Sequence, residues 1–288
     1  MTNSLPKSIL IAGAGFMGSA IAYLITTKSS AKVCLYDKFP AALEKAQLAY
    51  GQFGSKALEK NLITKAELSK AKDGLTTIDD LNKLPVCDLV IEAIVENLSI
   101  KKELFKVLDE KCPKSTIFAS NTSSLSITAI ASATKRSDKF IGMHFFSPAH
   151  IMKLLEVIPA IDTSSQTTKY ISDFGASLGK VVITSKDFPG FVTSRLGMVL
   201  LNEAAFALME GLSSAEEIDQ GMILGYNHPM GPLALADFIG LDICLSIMET
   251  LHSGFGDSKY RPCPLIRQLV SAGHLGRKTG KGFYSYGK

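Results

Sequence analysis

Ser8-Ile9-Leu10-Ile11-Ala12-Gly13-Ala14-Gly15-Phe16-Met17-Gly18 is the stretch that decides the fold. Its first five residues read as a short buried strand, and an apolar helical stretch runs from Met17 to about Thr27. A second strand, Ala31 to Tyr36, ends in Asp37. Strand, glycine turn, helix, strand and acid therefore follow in order, with about 20 residues from the glycines to the acid. Gly13 allows the tight turn. Gly15 lets backbone N–H groups approach a pyrophosphate at the helix N-terminus, beside Phe16 and Met17. Gly18 lets the helix pack close to the strand. Asp37 can accept hydrogen bonds from both hydroxyls of an adenosine ribose and would repel a 2′-phosphate. A lone glycine turn is weak evidence, but five parts in register predict dinucleotide binding, with NAD as the cofactor.

Outward from this unit, strand and helix keep alternating. Lys38 to Lys60 reads as a long helix with a charged face, and Thr64 to Lys72 as another, opened by a Thr64-x-x-Glu67 capping box. Asp88 to Ala93 is a buried, parallel-type strand, and Ser99 to Glu110 an amphipathic helix. Residues 115–119, 140–144, 153–158 and 180–184 are further strands, and Ser164 to Leu178 a further helix. The pattern predicts an α/β fold with a doubly wound, mostly parallel sheet. It changes after Lys186-Asp187-Phe188-Pro189-Gly190. Beyond it residues 191–210, 214–224, 232–238, 241–251 and 264–272 have helical periodicity, with Ser214 and Gly231-Pro232 as starts. Residues 1–186 are thus expected to form a dinucleotide-binding domain and residues 187–288 an all-helical one.

Composition narrows the function classes. The chain has 288 residues, 46% of them hydrophobic, and a net charge of +4. Such a chain can bury a good core. The small positive excess suits an anionic small molecule, and no aromatic–basic repeat suggests nucleic-acid binding. No apolar run is long enough for a membrane span. Met1 to Lys7 is too short and polar for a signal peptide, and Tyr284 to Lys288 is not a peroxisomal address. Cys34, Cys87, Cys112, Cys244 and Cys263 are odd in number and widely spaced. They read as free thiols in a reducing cytoplasm, not as disulfides or zinc ligands.

Three segments carry candidate chemistry. His144 ends a strand in Ile141-Gly142-Met143-His144-Phe145-Phe146-Ser147-Pro148, where the ligand crevice of such a sheet opens. Imidazole can exchange a proton with an alcohol near neutral pH, though a core histidine between phenylalanines reads equally well. Glu156 stands in the otherwise apolar Leu154–Ile158. A carboxylate there is costly unless paired; it either orients His144 or faces solvent on an edge strand. Ser120-Asn121-Thr122-Ser123-Ser124 opens at the same mouth and offers hydroxyls to a substrate or cofactor, or simply caps the next helix through Ser124 or Ser126. Gly276-Arg277-Lys278-Thr279-Gly280-Lys281-Gly282 only imitates a phosphate loop, being one residue short and not preceded by a strand. His228, His252 and His274 have no partners at metal spacing, so no metal is expected.

GAGFMG at 13–18, IEAIVEN at 91–97, ASNTSSLSI at 119–127 and HFFSPAHIMKLLEVI at 144–158 together resemble the 3-hydroxyacyl-CoA dehydrogenases. So do KDFPGFVTSRL at 186–196, HPMGPLALADFIGLD at 228–242 and GRKTGKGFY at 276–284. The form resembled is the short, single-function 3-hydroxybutyryl-CoA type. The resemblance implies a Rossmann-like domain, a helical domain that makes a homodimer, and NAD-linked reversible oxidation of an (S)-3-hydroxyacyl-CoA. It implies His144 as catalytic base, Glu156 as its partner acid, and Ser123 and Ser194 as holders of the reacting oxygen. It implies Glu96, Lys101, Ser147 and Lys278 at the cofactor, besides the glycine turn and Asp37, and Lys60 at coenzyme A. Three positions depart: many members have Asn at the places of Ser147 and Ser194, and the serine that touches coenzyme A falls on Phe53. Two other readings stand beside this one. A dehydrogenase of a free hydroxy acid or sugar acid would have no need of Lys60 and the whole HFFSP segment. A crystallin-like NAD-binding protein would have no need of an intact His144–Glu156 pair.

Overall fold

The computed structural model describes residues 5–287. The first four residues of the leader reading, and Lys288 of the carboxyl-terminal reading, lie outside the described residues. The chain divides into two compact units, residues 1–187 and 188–288.

In the first unit eight strands form one sheet: β1 (Ser8–Ala12), β2 (Lys32–Tyr36), β3 (Leu75–Ile78), β4 (Leu89–Glu92), β5 (Ile117–Ser120), β6 (Phe140–Phe145), β7 (Leu154–Pro159) and β8 (Val181–Thr184). Their order is β3-β2-β1-β4-β5-β6-β7-β8. All neighbours are parallel except β6 and β7. The order reverses between β1 and β4, so the connections leaving their paired ends run to opposite sides and open a crevice at the carboxyl edge. The pattern does not predict β3. Two of its four residues are threonines and it lies at the sheet's edge, which gives it neither an apolar run nor a buried alternation.

Helices α1 (Phe16–Lys28), α2 (Pro40–Glu59), α3 (Lys65–Asp73), α4 (Leu98–Lys111), α5 (Ile127–Ala131) and α6 (Ser165–Ser177) cover the sheet. Alternation along the strands sorts the core. Ile9, Ile11, Val33, Leu35, Met143 and Val157 share one core with α1 and α6. On the opposite side Phe105 of α4 rings against Phe118 and Phe140. Burial on both faces explains why β1, β4 and β5 read as unbroken apolar runs. The Thr64–Glu67 capping box forms as expected, with both reciprocal hydrogen bonds present. Loss of such a cap costs about 1 kcal/mol. Ser126, not Ser124, caps α5. Asp187 joins it, accepting from the Ile127 and Thr128 backbone at 2.9 and 2.7 Å.

The second unit holds α7 (Thr193–Met209), α8 (Ala215–Tyr226), α9 (Pro232–Ile239), α10 (Leu241–Phe255) and α11 (Pro264–Ser271). Their core gathers Leu201, Ala205, Leu233, Leu241, Cys244, Met248 and Ile266. Helix α7 begins two residues later than periodicity predicts, because Gly190 and Phe191 are both left-handed, at φ +72° and +51°. Asp219 of α8 caps α9 by accepting from Leu233 and Ala234 N–H at 2.8 and 2.9 Å. The glycine-rich 276–282 segment wraps the buried Asp237, which accepts from Phe283 and Tyr284 N–H at 3.0 Å each. Gly282 lets the chain approach that carboxylate closely and Gly276 the Asp237 backbone, so the segment has a structural use. No helix among the described residues is long and apolar enough to cross a membrane.

Candidate active site

The glycine turn lies at the switch point. A Cβ on Gly13, at φ +110°, would meet the Ala93 carbonyl oxygen at 2.5 Å, and one on Gly18 would meet the Gly13 carbonyl oxygen. Those two glycines are demanded by the protein's own packing. Gly15 is different: a Cβ there would meet nothing within 4 Å. No side chain caps α1, and its first turn carries no acid. An open cradle over bare N–H groups is what a pyrophosphate needs. Asp37 stands beside it, its Oδ2 accepting from Ala14 N–H at 2.9 Å and its Oδ1 from Phe39 N–H at 3.0 Å. Each oxygen keeps acceptor capacity for a ribose hydroxyl. The residues present thus fit a dinucleotide. Phe16 is exposed at the rim, and Met17 behind it packs on the core.

His144 and Glu156 lie directly opposite each other on the antiparallel pair β6 and β7. Even-numbered residues of both strands share one face, so the register alone brings the side chains together. Glu156 Oε2 is 2.8 Å from His144 Nδ1. The carboxylate is fully buried and the imidazole 5% exposed. The solvent-edge reading of Glu156 therefore fails: β7 has neighbours on both sides, and β8 forms the edge. Phe146 packs against the imidazole with ring centroids 4.5 Å apart.

The loop after β5 is fixed by its neighbours. Asn121 Oδ1 accepts from Phe145 N–H at 2.8 Å, tying the ends of β5 and β6. Glu96 Oε1 accepts from Thr122 Oγ1 at 2.5 Å and from Ser123 N–H at 3.0 Å. Lys101 is 1% exposed. Its Nζ reaches Glu92 at 2.5 Å and Glu96 at 3.3 Å, so any influence on a ligand at the mouth runs through Glu96. Burial pushes the Glu92 carboxyl above the usual range, against the pull of Lys101 and hydrogen bonds from Ser120 and Ile94. Sequence reading passed over Glu92, though it is a carboxylate in an apolar strand, the same signal that marks Glu156.

The remaining candidates are placed as follows. Ser147 is exposed just beyond β6 and precedes a cis proline, Pro148. Lys60 ends α2 and is exposed. Phe53 is packed against Phe16, Tyr23 and His150. In the second unit Ser194 sits in the first turn of α7, and Lys278 pairs with Asp242 at 2.6 Å.

A doubly wound sheet with a bare glycine cradle at its switch point and a histidine–glutamate pair at the same edge is the layout of a dinucleotide-dependent dehydrogenase. The NAD-binding domain model of the 3-hydroxyacyl-CoA dehydrogenases matches residues 8–188, and their C-terminal domain model matches residues 190–286. The chain belongs to the 3-hydroxyacyl-CoA dehydrogenase family. It is 49% identical over 280 residues to a probable 3-hydroxybutyryl-CoA dehydrogenase of Bacillus subtilis, covering 97% of each chain. It is 40% identical over 290 residues to human mitochondrial hydroxyacyl-coenzyme A dehydrogenase, covering 97% of this chain and 91% of that one. The crystal structure of (S)-3-hydroxybutyryl-CoA dehydrogenase from Ralstonia eutropha superposes with a TM-score of 0.94 at 43% identity, covering 98% of this chain and all of that one.

Proposed function

We propose that the chain catalyses reversible, NAD-dependent oxidation of (S)-3-hydroxyacyl-CoA to 3-oxoacyl-CoA, with short acyl chains such as 3-hydroxybutyryl as substrates. The single observation that carries this reading is the buried His144–Glu156 pair at the carboxyl edge of the sheet. Bound NAD supplies the acceptor for the hydride that leaves carbon 3. His144 removes the hydroxyl proton through Nε2, since Nδ1 is engaged by Glu156, and returns it in the reverse direction. Glu156 fixes the ring's orientation and stabilises the imidazolium. The Ser123 hydroxyl donates to the oxygen on which charge grows, and Ser194 adds a second donor. Ser194→Ala is then expected to lower kcat more than it raises KM; no change in either would remove it from the role.

The glycine turn with Phe16 and Met17 cradles the pyrophosphate, and Asp37 holds the adenosine ribose. Glu96, with Lys101 acting through it, Ser147 and Lys278 complete the cofactor's surroundings. Lys60 offers its ammonium to the phosphates of coenzyme A. Five buried free thiols suit a reducing cytoplasm, where we place the protein; fractionation of cells that produce it is the check, and recovery outside the cytoplasm would overturn the placement. The second unit exposes Leu196, Leu212, Leu224, Tyr226 and Phe238, more apolar surface than a small helical unit needs alone, and we assign it to a homodimer. A monomer by light scattering at micromolar concentration would overturn that assignment.

The test of the activity is NADH consumption with acetoacetyl-CoA, with free acetoacetate and with no substrate. Turnover with the thioester alone is expected. Equal turnover with acetoacetate would favour a free-acid dehydrogenase, and none with either would favour a protein that only binds NAD.

A further inference from the structure

Glu92 closes β4 with its side chain fully buried. Its Oε1 accepts from Lys101 Nζ at 2.5 Å and from Ile94 N–H at 2.8 Å, and its Oε2 accepts from Ser120 Oγ at 2.6 Å. Lys101, in the first turns of α4, reaches on to Glu96 Oε2 at 3.3 Å. Glu96 in turn holds Thr122 Oγ1 and Ser123 N–H. Thr122 Oγ1 also accepts from Leu125 N–H at 3.0 Å, so the turn is closed on itself. One chain of polar contacts thus runs from Ser120 through Glu92, Lys101 and Glu96 to Ser123. It ties the ends of β4 and β5 to the start of α4.

Stability does not explain this arrangement. A buried ion pair repays its desolvation poorly, and apolar groups of the same volume are often as stable or better. Two carboxylates here share one ammonium, and only one of them is fully buried. Glu96 keeps about a third of its side chain in solvent. An exposed carboxylate with a single restraint would sample many rotamers. Lys101, held from behind by Glu92, gives Glu96 a second and fixed restraint.

We propose that Glu92 is a positioning residue: through Lys101 it fixes Glu96, and thereby holds the Thr122–Ser123 turn in register for the substrate oxygen. This rests on the role proposed for Ser123. Loss of the buried charge frees Lys101 to move onto Glu96, which then leaves Thr122 and Ser123. Small misplacement of a group at the reacting centre costs about 10²-fold in rate.

The test is Glu92→Gln in two backgrounds, wild type and Ser123→Ala. In the first, kcat with acetoacetyl-CoA is expected to fall about 10- to 10²-fold. In Ser123→Ala the same change is expected to cost at most about 2-fold more, because the group it positions is gone. Amide hydrogen exchange at Ser123 is expected to quicken by about 10-fold or more in Glu92→Gln, and this readout needs no turnover. An equal loss of kcat in both backgrounds, or unchanged exchange at Ser123, would overturn the proposal. Should Glu92→Gln fail to fold, Glu92→Asp keeps the charge but shortens its reach, and the same two readouts apply in the same direction. A wild-type protein inactive on acetoacetyl-CoA would break the proposed function, while the exchange measurement would still decide the linkage.

Discussion

Two buried glutamates at the carboxyl edge of one sheet meet two different bases. Glu156 faces an imidazole across an antiparallel strand pair. Glu92 faces an ammonium from the following helix. Both carboxylates are fully buried, so burial alone does not separate them. The partner does. Imidazole gains and loses a proton near neutral pH, and a pair built on it can pass one to a substrate. The Lys101 ammonium lies between two carboxylates, and a pair built on it serves to hold other groups in place. On the reading proposed here, one pair moves a proton and the other braces the loop beside it.

The sharpest way to break that distinction is Glu156→Gln. Turnover is expected to fall roughly 10- to 10³-fold, because a neutral amide cannot stabilise an imidazolium equally well. Amide exchange at Ser123 is expected to stay unchanged, the reverse of what Glu92→Gln should give. A Glu156 variant with normal turnover at every pH, or with a loosened Ser123, would erase the difference between the two pairs.

Most of this site is legible in the sequence, and what escapes does so for physical reasons. The glycine turn and Asp37 are a local motif, and their contacts are nearly all within one strand–helix–strand unit. The His144–Glu156 pair is harder, since it depends on β6 and β7 being antiparallel and in that register. Reading both segments as strands brings it within reach. Glu92 carries the same signal as Glu156, but its meaning lies in Lys101 and Glu96, and helix geometry alone does not say that a lysine turns inward. Strand β3 escapes because an edge strand with two threonines buries too little to leave a pattern. The late start of α7 escapes because a left-handed Phe191 has no sequence signature of its own.

A third acid at the same edge extends the comparison. Asp37 has only backbone N–H partners among the hydrogen bonds given above, so it should govern choice of cofactor and not the chemistry. Asp37→Ser is expected to narrow the preference in kcat/KM for NADH over NADPH, with kcat at saturating NADH little altered. A wild-type preference for NADPH would overturn the assignment.

The smallest expected effect concerns a second histidine. His150 packs against Tyr23 and Phe53, and its Nδ1 is buried without a hydrogen-bond partner among the described residues. Burial, then the charges of Lys180 and Lys56, hold its pKa below 6.5. The unfolded chain therefore binds this proton first, and stability is lost as pH falls from 6.5 through the lower folded value. His150→Phe keeps the aromatic packing and removes the proton. The drop in Tm between about pH 7.5 and about pH 5 is expected to shrink in the variant. An identical drop would mean that His150 is as easily protonated in the fold as out of it.

His144→Gln tests the proposed proton transfer most directly, with NADH affinity and acetoacetyl-CoA turnover measured on the same preparation. The account predicts unchanged NADH binding and a loss of roughly 10²–10⁴-fold in kcat, the usual contribution of a positioned acid or base. Turnover close to that of the unaltered protein would contradict it.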